Sequence, residues 1–266
     1  MSDAGKRRRE KAAAARAAAN AGEKRRERTV RIAGAVTVLL VVVGIIGLAL
    51  WAKGNDPSNQ PIATVEPDPT APVPKGVFPA GDPNEYGVPY GTAGADAPVL
   101  EIWEDFQCPA CGALEKANGA GIGKLAEEGK VQLIWRPTTF LDRNLGNDAS
   151  MRAVAAWGCA IDAGKSREYH DLVYANQPEE EGSGWTDEEL IALADQAGIT
   201  GPAKDTFSSC VTAGTYRVWS ANSYQDFIKK GIQGTPYAQL DGEVLAVEIL
   251  ADPVKLEEAV AQAAAK

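Results

Sequence analysis

Histidine is almost absent from this 266-residue chain, in which His170 is the single example. A hydrolase of the Ser-His-Asp type depends on a histidine that an acid orients beside a nucleophile. A lone histidine inside a helical pattern argues against that class of enzyme. We expect His170 to lie on the surface of a helix.

Cysteine is also scarce, and its four residues form a close pair, Cys108 and Cys111, and a distant pair, Cys159 and Cys210. A zinc site made of four cysteines would normally contain a second C-x-x-C, which this sequence lacks. We therefore expect no metal and no other cofactor. The distant pair lies among apolar residues of helical segments, which favours a structural disulfide, and two buried free thiols are the alternative. In the chain-entropy treatment, closing a loop of about fifty residues stabilises a fold by roughly 4 kcal/mol.

Charge is distributed unevenly along the chain. Residues 1–31 contain 11 Lys and Arg against four Asp and Glu, whereas the remainder is strongly acidic, within a total charge of −9. Residues 32–51 contain no charge at all. A helix of that length spans about 30 Å, the thickness of a bilayer's hydrocarbon core. The pattern predicts a single-pass transmembrane helix, with a disordered, basic segment 1–31 in the cytoplasm and the acidic body outside the cell membrane. It argues against nucleic acid as the partner of the basic segment.

A cleaved signal peptide is the alternative interpretation of residues 32–51. The charged segment before it is too long, the apolar run exceeds the usual 7–15 residues, and Leu50-Trp51-Ala52 is a poor cleavage site.

Residues 52–83 follow and contain eight prolines. Such a composition predicts an extended extracytoplasmic linker that does not pack a core.

The stretch Cys108-Pro109-Ala110-Cys111 lies between a buried-strand pattern, 97–103, and a helical pattern that begins at Gly112. Unpaired N–H groups and the dipole at a helix start favour a thiolate at Cys108, and Pro109 suits the first helical position. Cys111 lies one turn later, near enough to close a disulfide. The pattern indicates a redox-active dithiol. A purely structural disulfide is the alternative, but so small a loop would restrict the unfolded chain little.

Beyond residue 84 the predicted elements follow the order β-α-β, a block of helices, and then β-β-α. Strand patterns occur at 131–135 and at 237–240, the latter followed by the turn Asp241-Gly242 and a second short strand. Helical patterns fill the region of about 147–231, and a closing helix is predicted from Pro253 to about Ala264. The sequence therefore predicts an α/β domain over residues 84–266 with a large all-helical insertion.

From about Tyr86 to its C-terminus the sequence resembles the DsbA-like branch of the thioredoxin fold, in the membrane-anchored form of Gram-positive bacteria. The residues that carry the resemblance are Asp96-Ala97-Pro98-Val99, the run EDFQCPAC at 104–111, the helical insertion and Gly234-Thr235-Pro236. The resemblance implies a thioredoxin-like fold and a protein thiol–disulfide oxidoreductase.

The same resemblance implies roles for individual residues. Cys108 would be the attacked or attacking sulfur and Cys111 would resolve the mixed disulfide, while Pro109 and Ala110 tune the pair. Relatives often carry histidine at the position of Ala110, so this couple is expected to be less oxidising than the strongest members.

Two further positions follow from the family. Thr235 would contact the substrate backbone, and Pro236 would be a cis proline that faces the dithiol. A buried acid usually lies six residues before the first cysteine and helps to move the proton of the resolving thiol, but here that position is Ile102. Glu101 or Glu104 could substitute, although strand alternation directs Glu101 to the face opposite Ile102.

We expect an extracytoplasmic oxidase that donates its disulfide to exported proteins with free cysteines. The family implies re-oxidation by a quinone-linked membrane partner of the DsbB or VKOR-like kind. The alternatives are a reductase or isomerase of the same fold and a non-catalytic, chaperone-like binding domain. The presence of both cysteines and of Thr235-Pro236 argues against the last, since binding alone needs no dithiol.

Overall fold

The computed structural model describes residues 65–266 of the chain. The basic segment 1–31, the predicted membrane helix 32–51 and the first part of the predicted linker, 52–64, lie outside the described residues. From residue 65 onward, no helix combines the length and the apolar character that crossing a membrane requires.

A five-stranded sheet lies at the centre of the domain. Its strands are β1 (Val88–Tyr90), β2 (Val99–Glu104), β3 (Gln132–Pro137), β4 (Tyr237–Leu240) and β5 (Glu243–Leu245), in the spatial order β1-β3-β2-β4-β5. β2 and β3 are parallel, and the other neighbours are antiparallel. The predicted order β-α-β, helices, β-β-α is confirmed. β1 is an additional strand, too short to produce a recognisable alternation of apolar residues.

The central strand β2 is apolar because both of its faces are covered. Leu100, Ile102 and Trp103 are almost completely buried. A parallel strand pair requires a crossover connection, which one long helical run provides between β2 and β3. The residues that follow β2 therefore lie at the edge of the sheet where this helical run begins.

The helical run contains α1 (Pro109–Leu114), a π-helical turn (Glu115–Gly119) and α2 (Ala120–Glu127). Its backbone stays right-handed through both junctions. A π turn holds one residue more than a regular helical turn and is frequent at functional sites.

Six helices form the insertion between β3 and β4. They are α3 (Phe140–Leu145), α4 (Ala149–Asp162), α5 (Ser166–Ala175), α6 (Asp187–Gln196), α7 (Pro202–Ala213) and α8 (Arg217–Lys229). The insertion begins with α3, earlier than the predicted residue 147. With only two turns, α3 is too short to show a helical periodicity in the sequence.

α4 is the buried centre of the insertion. Its Trp157 packs edge-on against Phe106 and against Trp135 of β3, with ring centroids 5.8 and 6.2 Å apart. Such aromatic pairs add stabilisation beyond the apolar area that they bury. These contacts join the insertion directly to the sheet and to the segment that precedes Cys108.

The C-terminal part closes the domain much as the sequence predicts. Asp241 and Gly242 adopt positive φ angles of 51° and 80° in the tight turn between β4 and β5. Two helices follow, α9 (Val247–Leu250) and α10 (Pro253–Ala264). The Asp252 side chain accepts hydrogen bonds from the first backbone N–H groups of α10.

The structure corrects the prediction that the proline-rich linker, 52–83, does not pack. In its described part, Val77 is 5% exposed and belongs to the hydrophobic core. The backbone N–H of Lys75 donates to Asp162 of α4, and Asn222 of α8 donates to the carbonyl of Asp68. Prolines prevent regular structure, but they do not prevent this segment from lying across the insertion.

Cys159 of α4 and Cys210 of α7 form a disulfide. It links the central helix of the insertion to a more peripheral one across a sequence separation of 51 residues. Cys108 and Cys111 are free thiols in this structure.

Replacing Cys159 and Cys210 together with alanine should lower the free energy of unfolding by up to about 4 kcal/mol, because the unfolded chain loses its restraint. Urea unfolding of the full-length chain, followed by tryptophan fluorescence, measures the change. The Cys108→Ala/Cys111→Ala variant is the matched control, and its much smaller loop predicts a smaller loss. A Cys159→Ala/Cys210→Ala variant as stable as the parent would contradict a structural role.

Candidate active site

Cys108 occupies the N-cap position of α1, with an extended backbone (φ −72°, ψ 117°), and Pro109 is the first helical residue. The side chains of Pro109 and Ala110 are exposed, whereas Cys111 lies one turn into the helix. Cys111 is completely buried, and Cys108 is 7% exposed. Cys108 is therefore the more accessible of the two sulfurs.

A buried polar network fixes the loop that delivers Cys108. Asp105 accepts hydrogen bonds from the backbone N–H groups of Gln107 and Leu141. The Gln107 amide donates to Asp142 at 2.8 Å and to Ser150 at 2.8 Å. Burial raises the pKa of Asp105 to about 7. Neither Asp105 nor Gln107 was recognised as important from the sequence, although both belong to the run EDFQCPAC.

A second residue of the insertion reaches the start of α1. The Gln177 side chain donates to the backbone carbonyls of Phe106 and Cys108, at 2.7 and 2.9 Å. Gly112 permits this approach, because a Cβ atom at that position would collide with the Gln177 amide. The helical insertion therefore holds the redox loop from one side.

Thr235 and Pro236 face the first cysteine from the other side. The peptide bond between them is cis. The Cys108 thiol donates to the Thr235 carbonyl at a sulfur–oxygen distance of 3.4 Å. Register explains this contact, because Trp103 near the end of β2 pairs with Tyr237 at the start of β4. The structure thus brings together all the residues for which the sequence predicted catalytic or substrate-binding roles.

The two thiols differ strongly in acidity. The hydrogen bond from the Cys111 thiol, with smaller effects of the polar Thr235 side chain and of backbone N–H groups of α1, lowers the pKa of Cys108 to about 6, against the opposing effect of burial. Burial raises the pKa of Cys111 well above its usual value, and the hydrogen bond to Cys108 and the charge of Glu104 add to this. A stabilised thiolate beside a protonated thiol is the arrangement that thiol–disulfide exchange requires.

Glu101 and Glu104 are the two candidates for the acid near Cys111. Glu101 forms an ion pair with Arg136 and lies away from the dithiol, as strand alternation predicted. Glu104, by contrast, is 5% exposed, and its charge acts on Cys111. Glu104 is thus the acidic residue on the side of the resolving thiol.

His170 lies beside Glu104, and the prediction of a surface position is wrong. The imidazole is 2% exposed and is surrounded by aromatic rings that include Phe106, Trp135 and Trp157. The acidic neighbours Asp171 and Glu104 raise its pKa to about 9 against the opposing effect of burial. The sequence could not reveal this position because α5 presents His170 to the sheet through the tertiary arrangement of the insertion.

Comparison with known proteins identifies the fold. A family model described as thioredoxin matches residues 84–260. A comparison with curated proteins gave no match.

Several solved structures are similar to this chain. The MdbA thiol-disulfide oxidoreductase of Actinomyces oris is 24% identical, with a TM-score of 0.57 over 66% of this chain and 88% of that one. Oxidised DsbA of Mycobacterium tuberculosis is 24% identical, with a TM-score of 0.56 over 68% of this chain and 93% of that one. Reduced DsbG, a disulfide bond oxidoreductase of the same organism, is 25% identical, with a TM-score of 0.50 over 71% and 88%. The predicted thioredoxin-like fold with a helical insertion is confirmed.

We expect iodoacetamide to alkylate the reduced protein at Cys108 first, with a rate that rises with pH around a midpoint of about 6. The Cys159–Cys210 disulfide removes the other two sulfurs from the reaction. In the Cys111→Ala variant the midpoint should move upward, because the largest stabilising hydrogen bond is gone. Mass spectrometry of quenched samples gives both site and rate. Equal labelling of the two cysteines, or a midpoint near the ordinary thiol value of about 8.5, would refute the assignment.

Proposed function

Because the chain belongs to the thioredoxin family, we propose that it is a protein thiol–disulfide oxidoreductase that oxidises exported proteins outside the cell membrane. The observation that carries this proposal is the pair of unequal thiols at the start of α1, facing the cis Thr235-Pro236 bond. The similar MdbA protein of Actinomyces oris is named a thiol-disulfide oxidoreductase.

The reaction begins from the disulfide between Cys108 and Cys111. A substrate thiolate attacks the Cys108 sulfur, the bond to Cys111 breaks, and the departing Cys111 sulfur takes up a proton because burial disfavours its thiolate. A second thiolate of the substrate then attacks the substrate sulfur that is bonded to Cys108 in the mixed disulfide. Cys108 leaves as a stabilised thiolate, the substrate gains a disulfide, and two electrons remain on the enzyme as the dithiol.

The cis Thr235-Pro236 bond and the carbonyl beside the Cys108 sulfur suit a substrate-binding role. An extended substrate segment that lies along this edge would present its cysteine to Cys108 while its backbone pairs with Thr235. Pro236 has no N–H group, so it shapes the groove without donating a competing hydrogen bond. Both residues are half-buried and accessible to a peptide.

The proposed location rests on two features. Residues 32–51 are long and apolar enough to anchor the chain, and the basic residues before them favour a cytoplasmic N-terminus. The Cys159–Cys210 disulfide suits an oxidising compartment. Each turnover leaves two electrons on the dithiol, so a quinone-linked membrane protein of the DsbB or VKOR-like kind is the proposed re-oxidising partner.

A Cys111→Ser variant expressed in cells should accumulate mixed disulfides between Cys108 and exported proteins, because the sulfur that would release them is missing. Non-reducing gels followed by mass spectrometry identify the trapped proteins. The Cys108→Ser variant is the control. It should trap no exported protein, because it lacks the sulfur that the substrate attacks. Recovery of cytoplasmic proteins alone would contradict the proposed location, and trapping through Cys111 would reverse the roles of the sulfurs.

The reduction potential of the Cys108–Cys111 couple decides the direction. A stabilised thiolate makes a disulfide more oxidising, so we expect a value between those of DsbA, about −120 mV, and thioredoxin, about −270 mV, and nearer to the former. Equilibration with glutathione buffers, followed by thiol trapping, measures it. A value below about −240 mV on that scale would favour the reductase or isomerase instead.

Stability should depend on pH in the reduced form. The pKa of Cys108 in the folded protein, about 6, is lower than that of an unfolded thiol, about 8.5. The resulting stabilisation is complete above the unfolded value and is lost as the pH falls through about 6. Thermal unfolding of the reduced and oxidised forms between pH values of about 6 and about 8.5 measures this. The stability of the reduced form relative to the oxidised form should decrease as the pH is lowered.

A further inference from the structure

Three potential metal ligands meet on the Cys111 side of the active-site helix. They are Glu104 at the end of β2, Glu115 in the π-helical turn and His170 on α5. One ligand atom from each lies within 4.8 Å of the other two. None of these three side chains reacts in the thiol–disulfide exchange proposed above. Their convergence therefore indicates a different role.

Glu104 is buried without satisfying its hydrogen-bonding capacity. Within residues 65–266, neither of its carboxylate oxygens has a hydrogen-bond partner, and one oxygen of Glu115 also has none. Buried carboxylates normally accept several hydrogen bonds, because an uncompensated one is costly. Both side chains are therefore arranged as if to donate their lone pairs to a cation between them.

One of the three separations, that between His170 and Glu104, is closer to the spacing of two metal ligands than to a hydrogen bond. The Nε2 atom of His170 lies 3.5 Å from an oxygen of Glu104. A direct N–H···O bond would be about 2.7–3.2 Å long. Two ligands of a tetrahedral ion with bonds of about 2.0–2.1 Å lie about 3.3–3.4 Å apart. The observed distance is close to that second value.

His170 also has the supporting contact that metal-binding histidines usually make. Its Nδ1 atom lies 3.3 Å from the Asp171 carboxylate, which Arg167 holds with two contacts of 2.7 and 2.8 Å. A carboxylate on one ring nitrogen orients the imidazole and leaves the lone pair of the other nitrogen for the metal. That nitrogen, Nε2, is the one that faces Glu104.

Glu115 can be reached from solvent. An open groove of about 620 Å³ runs between the active-site helix and α5, and its lining includes Glu115, Arg167 and Asp171 but neither Glu104 nor His170. The Arg167 guanidinium is engaged by Asp171 and by the carbonyl of Gly119, so it does not neutralise the two glutamates directly. In their ionised forms, Glu104 and Glu115 would together match the charge of a divalent ion.

We propose that Glu104, Glu115 and His170 bind one divalent transition-metal ion of the zinc class. An imidazole with two carboxylates is a donor set for such ions, and too few oxygen ligands are present for calcium. The ion would join the central strand, the active-site helix and the helical insertion at a single point. This site is separate from the four cysteines, on which the sequence-based search for a metal had concentrated.

The test uses the full-length chain in detergent, treated with a chelator and oxidised so that Cys108 and Cys111 are in a disulfide and cannot bind metal. Zn²⁺ is titrated in competition with a chromophoric chelator. We expect one ion per chain and a higher melting temperature with Zn²⁺, since an ion that binds only the folded state stabilises it. Co²⁺ in place of Zn²⁺ should give visible absorption of a tetrahedral ion without a sulfur-to-cobalt charge-transfer band.

Variants locate the site. Glu115→Gln and His170→Gln should each weaken Zn²⁺ binding at least tenfold, and Asp171→Asn should weaken it about 10–100-fold through the orientation of His170. Glu168→Gln, an exposed acid on the same helix, is the matched control and should leave affinity unchanged. Glu115 is only half-buried, so its variant tests the site even if His170→Gln fails to fold.

Absence of a bound ion in the oxidised protein would overturn the proposal and leave a proton shared between His170 and Glu104 as the explanation. A charge-transfer band would place the metal on cysteine instead. Binding of equal strength in the Glu115→Gln variant and its Glu168→Gln control would also overturn it.

Discussion

The register between β2 and β4 is the constraint on which the active site depends. Trp103 opposite Tyr237 places the end of one strand beside the beginning of the other, so that the residues just beyond each, Cys108 and Thr235, meet. A slip of one residue would turn every side chain of β4 to the opposite face. This pairing places the start of α1 beside Thr235, and contacts from the helical insertion then fix the loop that carries Cys108.

Position along one helical turn is sufficient to make two identical side chains chemically different. Cys108 has the hydrogen bond from the Cys111 thiol and, after it, the backbone N–H groups of a helix start, whereas Cys111 lies against the apolar core with an acid nearby. Histidine at the Ala110 position is thus not needed for a marked difference in acidity, although its absence leaves fewer groups to stabilise the thiolate. The insertion contributes as well, because Gln177 and the network around Gln107 fix the loop that sets this position.

The sequence was most informative where local chemistry determines structure. The helix that begins at Pro253 and the turn at Asp241 both follow from short-range preferences, and the structure has them where they were predicted. It was least informative where packing decides. Burial of His170 depends on how a distant helix lies on the sheet, and proline content gave no sign that residues 65–83 would find a surface to cover. The choice between Glu101 and Glu104 needed the ion pair with Arg136 as well as strand alternation.

The π-helical turn has a consequence for comparing this chain with others. It accommodates one extra residue inside the active-site helix without breaking it, so residues before Glu115 and after Gly119 lie on faces offset by one position from those of a regular helix. An alignment with a relative whose helix is uninterrupted should therefore open a single-residue gap between 115 and 119. Without that gap, the apolar positions that face the sheet in α2 would be matched to solvent-facing ones.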